Sequence, residues 1–364
     1  MDLLQLGRKT AENTEIKGRC SGRRAARMVR NAMAEVERVR DQWANTSAAS
    51  ALDGAEWLLD NAYLVRREGA AAVEDLARGK RLRRAGEDSY VQKAAAVLAE
   101  NAPALSPEAI AQYLSGLQET IPLTEEELSL FLPALKGELC RYLARLCSRL
   151  GGEKQEGTLA KTIGECFTGL RTLSTAHYAP ILEEASAVEQ ILRKDPAGVY
   201  AHMDEATRAR YRTQVCQLAR KRGIGEADAA HRALELAQKG KEDHVGWYLF
   251  HCPLGEEEKR FSGTVYVSAI LMPALCIALW MGFVLESWLL VFLLLLPLSD
   301  LIKNIVDFCV VHTVPPRLVP RMALKEGIPS EGRTLCVITG LLTGEESGSA
   351  YASLLERYRL ANRD

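Results

Sequence analysis

FSGTVYVSAILMPALCIALWMGFVL, residues Phe261–Leu285, is a long run without a single charged side chain. A helix needs about 20 mainly apolar residues to cross a bilayer, so this run is long enough to span a membrane. A second apolar run, SWLLVFLLLLPLS at Ser287–Ser299, follows after Glu286. It reaches spanning length only if the helix continues through the charged residues that come next.

Two tryptophans flank the turn between these runs. Trp280 and Trp288 lie on either side of Glu286, and indole side chains favour the membrane interface. Together these features predict a transmembrane helical hairpin over residues 261–312. The alternative is a hairpin buried in the core of a large soluble protein, because an apolar run alone does not separate the two cases.

The basic residues around the hairpin predict its orientation. Lys259 and Arg260 precede the first helix, Arg317, Arg321 and Lys325 follow the second, and the connecting turn has no Lys or Arg. The positive-inside rule therefore places both flanks in the cytoplasm and the turn outside. The first residues contain no apolar segment of the kind found in a secretory signal, so we expect everything before the hairpin to be cytosolic.

Composition excludes some classes of function. The 364 residues carry a formal net charge of -1, which argues against a general nucleic-acid binder. The first 30 residues are nonetheless basic, and they form either a surface for anionic lipid headgroups or a solvated helix face with a frayed terminus. The nine cysteines contain no CxxC pair, and His244, His251 and Cys252 lack a recognised ligand spacing. We therefore predict reduced thiols and no metal site.

The chain before the hairpin has the periodicity of successive helices. We predict a basic helix or tail over 1–50, a helical subdomain over 51–150 and a second one over 158–258. The polar, glycine-rich segment Gly151–Gly157 is the predicted boundary between the two subdomains. Within the first, Thr124–Glu127 forms a capping box.

That capping box opens a helix with a continuous apolar stripe as far as Leu150, and Pro133 is expected to kink it. After the hairpin, residues 313–332 form a predicted connector. Arg333–Leu342 is β-branched and apolar, like a buried parallel strand, and Glu345–Leu360 predicts a helix.

A single βα unit cannot form a stable domain, so we expect residues 333–364 to be the incomplete start of a larger α/β domain. The predicted fold class is mainly α, with a cytosolic helical domain, a transmembrane hairpin and the first βα unit of a truncated α/β domain.

Several blocks of sequence resemble one family. The chain is similar to the N-terminal part of cyclic β-1,2-glucan synthases, bacterial membrane proteins that carry a processive glycosyltransferase and a phosphorylase-like domain. The resemblance runs from about residue 51 to the end. It rests on AEWLLDNAYLV (Ala55–Val65), IPLTEEELSLFLPALKGEL (Ile121–Leu139), the DPAGVY and MDEATRARYR segments within Leu170–Arg212, HVGWYL (His244–Leu249), and Pro315–Ser347.

The resemblance implies a bacterial inner-membrane, multi-pass protein. It also implies glucosyl transfer from UDP-glucose to a β-1,2-glucan chain, with Mg²⁺ or Mn²⁺ required by the complete enzyme. The expected partners are the lipid bilayer and the remainder of the transferase and phosphorylase-like domains, with no nucleic acid. The family's aspartate-containing strand ends are not matched here. We therefore expect no catalytic residue and no bound cofactor in this chain, and no activity alone.

Thr339 departs from the family, which usually has proline at that position. Thr339, Thr343 and Glu345 fall in the loop after the predicted strand, where open α/β sheets bind ligands. They are the candidate substrate-side residues. The alternative function is a non-enzymatic, membrane-anchored helical scaffold derived from the same family.

Asp300, Lys303 and Asp307 are spaced i, i+3 and i+7, so they share one face of the second membrane helix. Charges at membrane depth commonly line polar pathways or contact other helices. This predicts either a lining for a glucan exit path, a contact to further helices, or an ion-paired cluster near the cytosolic interface.

Two further patterns have two interpretations each. The block Asp195–Arg212 is either a docking surface for the transferase or a growing glucan, or a helix–turn–helix junction in which Arg208 and Arg212 pair locally. Trp57 with Asp60 and Asn61 is either a platform for a sugar ring or a buried helix anchor.

Overall fold

The structure is a computed structural model that describes residues 2–46, 53–151, 156–256, 263–313, 320–323 and 344–361. It is mainly helical, as predicted. The helices are α1 (Leu3–Glu12), α2 (Arg23–Ala44), α3 (Asp53–Arg78), α4 (Tyr90–Asn101), α5 (Pro107–Thr120), α6 (Glu125–Ser129), α7 (Phe131–Cys147), α8 (Glu156–Thr175), α9 (Ala179–Ala185), α10 (Ala187–Leu192), α11 (Glu205–Arg222), α12 (Glu226–Lys239), α13 (Gly263–Val284), α14 (Trp288–Thr313) and α15 (Glu345–Ala361).

The N-terminal region is part of the first hydrophobic core and not a separate basic tail. On α2, the buried side chains Ala25, Val29, Val36 and Val39 repeat at helical spacing. This stripe packs against α3 and α7. The basic residues of α2 lie on its opposite face, which is why composition alone suggests a charged tail.

A small antiparallel sheet also interrupts the helices, although strand patterns before the hairpin are weak. Its strands are β1 (Ile16–Cys20), β2 (Leu82–Ala85) and β3 (Asp88–Ser89), in the order β1-β2-β3. A tight turn joins β2 to β3, and Gly86 adopts φ +70 there, a value that favours glycine. These strands are too short for their periodicity to stand out in the sequence.

The capping box at Thr124 is confirmed, but the long kinked helix is not. The Thr124 hydroxyl accepts from the Glu127 N–H, and α6 ends at Ser129 before α7 begins at Phe131. Pro133 lies in the first turn of α7. Proline clashes with the carbonyl four residues earlier inside a helix but is tolerated in a first turn, so the chain breaks before it instead of bending at it.

The boundary between the two hydrophobic cores lies further along the chain than the glycine-rich segment. On α8, which follows that segment, Ile163, Phe167 and Leu170 are buried in the same core as α3 and α7. A second core begins at Val188 and ends at Leu254, and it joins α10, α11 and α12. The cores therefore divide between α9 and α10, and α8 belongs to the first.

The two apolar runs form α13 and α14, each long and apolar enough to cross a membrane. They pack on each other, and small residues allow the close approach. Ala274, Ala278 and Gly282 are buried at four-residue spacing on α13. A Cβ on Gly282 would lie 2.3 Å from a methyl carbon of Val291 on α14. The turn between the helices contains Glu286 at φ +50.

Most other side chains of this hairpin face outward. Phe283, Leu289 and Phe292 are 78%, 80% and 77% exposed, respectively. In a soluble core helix such side chains would be buried, so the described chain does not provide the environment that these helices require.

After the hairpin, residues 320–323 are described and the predicted strand Arg333–Leu342 lies outside the described residues. The predicted helix from Glu345 is confirmed as α15.

Candidate functional site

A cluster of buried ion pairs lies where the two cores meet. Arg208 on α11 donates from Nη2 to both carboxylate oxygens of Glu183, at 2.7 and 2.8 Å. One turn later, Arg212 Nη1 donates to Glu189 Oε2 at 2.5 Å. We call the following residues the ion cluster: Glu125, Glu183, Glu189, Arg193, Arg208 and Arg212.

Glu189 is the centre of the ion cluster and its side chain is fully buried. It accepts from Tyr200 Oη at 2.6 Å and from Arg193 Nε at 2.9 Å. Burial opposes its charge, but these hydrogen bonds and the neighbouring Arg212 outweigh burial and hold the pKa of Glu189 below its ordinary value. A carboxylate held ionised by three donors is suited to holding helices together rather than to proton transfer.

The ion pairs of the arginines thus reach outside their own block, although Arg208 Nη1 also donates to Met203 O within it at 3.1 Å. Glu183 and Glu189 precede Arg208 and Arg212 by 25 and 23 residues. The prediction that Arg208 and Arg212 form ion pairs within Asp195–Arg212 is therefore wrong. The helix that the junction interpretation requires is present, since the carboxylate of Asp204 accepts from the Thr207 N–H at 2.7 Å and caps α11.

A second buried group, the Asp195 relay, connects the start of this block to the segment before the hairpin. Asp195 Oδ2 lies 2.8 Å from His244 Nδ1, and His244 Nε2 lies 3.0 Å from the Tyr211 hydroxyl. Asp195 Oδ1 accepts from the Val245 N–H at 2.9 Å. With a neutral imidazole, Nδ1–H donates to Asp195 and Nε2 accepts from Tyr211.

The relay resembles a catalytic triad in its spacing but not in its exposure. Tyr211 is 2% exposed, and burial raises its pKa to about 12. Burial also opposes the charge of Asp195, yet the hydrogen bonds from His244 and Val245 lower the pKa of Asp195 below its ordinary value. A buried phenol with a raised pKa is a poor nucleophile, so this group ties the pre-hairpin segment to α11.

A cleft of about 610 Å³ opens beside the ion cluster, between the first core and α11. Glu125, Glu183 and Arg212 lie on its wall, together with Cys216. Burial, with the nearby carboxylates of Glu226 and Glu125, raises the pKa of the Cys216 thiol, which keeps it protonated and unreactive. The apolar lining is formed by Leu128, Leu132, Leu173, Tyr178 and Leu182. The cleft thus offers apolar surface and charged hydrogen-bonding groups, without an activated nucleophile on its described wall.

The chain returns to α11 after the hairpin. The Asp204 N–H donates to Arg321 O at 2.9 Å, and the Ala323 N–H donates to His202 O at 2.8 Å. These bonds form an antiparallel bridge between Met203 and Met322. Ala323 also lines a second cleft, of about 740 Å³, next to the ion cluster. The segment that follows α14 therefore docks at the start of α11.

The predicted polar cluster in the second apolar helix, α14, is present in part. Lys303 Nζ lies 3.0 Å from Asp307 Oδ2, and the Tyr266 hydroxyl on α13 donates to Asp307 Oδ1 at 2.5 Å. Asp300 is exposed on α14 and makes no hydrogen bond or ion pair with the described residues. The pattern of the sequence does not reveal the role of Tyr266, because its partner lies 41 residues away.

Of the three loop candidates, Glu345 alone belongs to the described residues. Thr339 and Thr343 lie outside the described residues, and Glu345 is the first residue of α15. Around Trp57, the proposed buried anchor is not observed, because Trp57 is 41% exposed and its ring lies over Gly164. Asn61 is instead buried and accepts from Arg171 at 3.0 Å.

The described side chains were also compared with the metal requirement that the family resemblance implies. Within the described ranges, no group of three or more His, Cys, Asp or Glu side chains is arranged to hold a metal ion. His244 belongs to the Asp195 relay, and His251 stacks on Trp247 with ring centroids 4.7 Å apart. We therefore assign no described residue to a metal and derive no step through one.

No protein-family model matches this sequence, and neither does any of the curated proteins compared with it.

Proposed function

We propose that this chain is a membrane-anchored helical module that serves as the N-terminal accessory part of a cyclic β-1,2-glucan synthase. The observation that carries the anchoring role is the outward apolar surface of α13 and α14, and the observation that carries the family is the set of sequence blocks. In this proposal glucosyl transfer from UDP-glucose, with Mg²⁺ or Mn²⁺, is carried out only with the remaining transferase and phosphorylase-like domains. Thr339, Thr343 and Glu345 are proposed to contribute to the donor side of that site.

The anchoring role follows from the energetics of the hairpin. Large side chains such as Leu289 and Phe292 are almost fully exposed, and each loses roughly 1.5–3 kcal/mol of hydrophobic stabilisation when it stays in water. A lipid environment removes that cost along the whole hairpin. Trp280 and Trp288, at 64% and 69% exposure, flank the turn, where they suit a membrane interface.

The bridge between Met203 and Met322 supports the proposed orientation. Met203 precedes the hairpin and Met322 follows it, so both flanks lie on the same side of any membrane that the two helices cross. Because the flanks are basic, we propose that this side is the cytoplasmic side of a bacterial inner membrane. Ala323, the residue after Met322, lines the second cleft, next to the ion cluster. In this proposal, the contact between the segment at Met322 and the helical domain is what allows the accessory domain to position a transferase.

The anchoring role is tested by expressing the chain in bacteria and washing the inner membranes with alkaline carbonate. We expect the chain to stay in the membrane pellet. Biotin maleimide that does not cross the membrane should label a cysteine placed at Glu286 from the periplasmic side, in a background in which the native cysteines are replaced. Release by carbonate, or labelling of Glu286→Cys only after lysis, would contradict the proposed anchor or its orientation.

The enzymatic role is tested with labelled UDP-glucose and membranes that contain the chain alone, or the chain together with a transferase polypeptide of the same family. We expect incorporation into glucan only in the second case. The variants Thr339→Ala and Thr343→Ala should lower it, whereas Ser353→Ala on the exposed face of α15 should not. Incorporation by the chain alone would refute the accessory role.

The second candidate function is a non-enzymatic membrane scaffold. It is favoured by the ion cluster, in which the buried carboxylate of Glu189 is fully engaged by other side chains of the same chain. Such a cluster holds helices in place and leaves this carboxylate no further role. Failure of both membrane preparations to incorporate glucose, with carbonate resistance intact, would favour the scaffold.

A further inference from the structure

Exposed basic residues collect at the end of the molecule where α2 begins. Arg23 and Arg27 lie one turn apart on the exposed face of α2, and Lys80 and Arg81 are exposed in the turn before β2. The Gly22 N–H donates to Gly79 O at 2.9 Å, which holds the start of α2 against that turn. The four side chains therefore belong to one region of the surface, although more than 50 residues separate the pair on α2 from the pair before β2.

The same surface continues onto α11. Glu126 accepts from the Lys80 N–H at 2.9 Å through Oε1, and from Arg220 Nη2 at 2.6 Å through Oε2. Lys221 is exposed beside Arg220 at the C-terminal end of α11. We call the following residues the basic belt: Arg23, Arg27, Lys80, Arg81, Arg220 and Lys221.

One end of the basic belt adjoins the entry to the hairpin. Arg222 donates to Pro253 O at 2.9 Å and pairs with Glu256 at 2.9 Å. Pro253 and Glu256 belong to the segment that leads into α13, whose first residue is Gly263. The last turn of α11 is thus tied by two contacts to the chain just before the proposed membrane helices.

Among the described residues, only Arg220 of the basic belt forms an ion pair, with Glu126. The neighbouring Glu87 already pairs with Arg24 at 2.6 Å. The other five side chains of the belt thus have no ion-pair partner among the described residues, in a chain whose overall formal charge is -1. Like charges at this density repel one another unless an anionic partner lies close by.

We propose that the basic belt binds the headgroups of anionic phospholipids on the cytoplasmic face of the membrane. The proposal rests on the membrane hairpin described under the proposed function. Clusters of four to eight Lys or Arg residues next to a membrane helix attract anionic lipids, and the hairpin keeps this cluster within reach of them. A nucleic acid would satisfy the same charges. We favour lipid because the hairpin, once inserted in a membrane, brings a lipid surface next to the belt.

The test uses the full chain in vesicles of phosphatidylcholine that contain about 25% phosphatidylglycerol, an anionic lipid. The protein is purified in mild detergent at low salt, and the ratio of the two lipids that remain bound is measured by mass spectrometry. We expect phosphatidylglycerol to be enriched about two-fold or more over the bulk mixture, and roughly 0.5 M salt in the purification buffer to remove the enrichment.

The belt variant combines Arg27→Gln, Arg81→Gln and Lys221→Gln, three exposed side chains without a described ion-pair partner. We expect the retained lipid ratio of this variant to fall to the bulk value. Arg220 is kept, because its ion pair with Glu126 is structural. Circular dichroism of each protein reports whether the helical fold is intact.

The matched control combines Arg149→Gln, Lys161→Gln and Arg232→Gln, which remove the same charge from exposed positions outside the belt. This control should enrich phosphatidylglycerol as the native chain does. Equal enrichment by the belt variant, enrichment lost equally in the control, or no enrichment by the native chain would each overturn the proposal.

Carbonate washing of vesicles made only of phosphatidylcholine tests the membrane hairpin separately from the basic belt. Release of the chain there would refute the hairpin, whereas retention without phosphatidylglycerol enrichment would refute the belt alone.

Discussion

Met203 and Met322 face each other in an antiparallel bridge, although both apolar helices lie between them in sequence. The bridge joins the start of α11 to the segment that follows α14, and it is held by two backbone hydrogen bonds. It determines where the chain resumes after the hairpin, next to the ion cluster. A short backbone contact therefore sets how the two apolar helices and the helical domain are connected.

One of the two hydrogen bonds of the bridge has an N–H donor that a single substitution removes. Ala323→Pro deletes the donor to His202 O, and we expect amide exchange at Asp204 to rise about five-fold or more, which corresponds to roughly 1 kcal/mol of lost hydrogen bonding. Hydrogen exchange with mass spectrometry measures this. Ala323→Gly keeps the N–H and should leave exchange at Asp204 nearly unchanged. Equal exchange in the two variants would show that the bridge does not hold the segment.

The ion cluster predicts a large stability difference between two arginines on one helix. Arg212→Met leaves the buried Glu189 with one charged partner fewer, and we expect a loss of about 3–5 kcal/mol in the free energy of unfolding. Arg210 is exposed and forms no ion pair within the described structure, so Arg210→Met should change stability by no more than about 0.5 kcal/mol. Urea unfolding in detergent, followed by circular dichroism, measures both. Similar losses in the two variants would refute the structural role of the cluster.

The Asp195 relay predicts a particular dependence of stability on acid. The pKa of Asp195 is lower in the folded chain than its ordinary value of 3.8. The ionised Asp195 carboxylate therefore contributes its full stabilisation above the pKa that it has in the unfolded chain. This contribution is lost as the pH falls through the lower pKa that it has in the folded chain. We expect Asp195→Asn to cost about 1–3 kcal/mol at pH 7, because His244 and the Val245 N–H lose a charged acceptor.

Between about pH 5 and pH 3, the free energy of unfolding should fall more for the native chain than for Asp195→Asn. The difference in stability between the two proteins should therefore shrink in acid. Asp243→Asn, at an exposed position next to His244, is the matched control and should keep the native pH dependence. If the gap between native chain and Asp195→Asn stayed constant as the pH fell, Asp195 would not be the acid-sensitive group.

The close approach of Gly282 to Val291 predicts how the two apolar helices pack. Gly282→Val places methyl groups where a Cβ alone would already lie 2.3 Å from Val291 Cγ2, and we expect a loss of about 1–3 kcal/mol. SDS titration in mixed micelles measures the stability of the hairpin. Adding Val291→Ala should restore part of the loss, because it frees the same space. Absence of any rescue would mean that the cost arises elsewhere.

Local patterns in the sequence predicted the helical elements well. The capping box at Thr124 begins a helix as predicted, and the helix predicted from Glu345 is present as α15. Caps and apolar stripes depend on residues within a few positions of each other, so they are visible in a linear sequence. The break at Leu130 was missed because Pro133 suits either a kink or a first turn, and the pattern does not distinguish them.

The candidate sites were harder to predict, because their partners are far apart in the chain. Lys303 and Asp307 were found together by helical spacing, whereas Tyr266 on the neighbouring helix was not. The charges of Arg208 and Arg212 were recognised, but their partners were expected within the same block. A salt bridge between distant residues depends on how helices pack, and spacing carries no information about that.

By itself, the sequence determined the helical class, the two apolar helices and most helix ends, since each depends on neighbours within one or two turns. Only the tertiary structure decided that the basic N-terminal region belongs to the core, that α8 joins the first core, and that Arg208 and Arg212 hold Glu183 and Glu189. It also decided that Met322 returns to Met203. These features depend on which helix faces are buried together, and that selection minimises exposed apolar surface and unpaired buried charge across the whole fold.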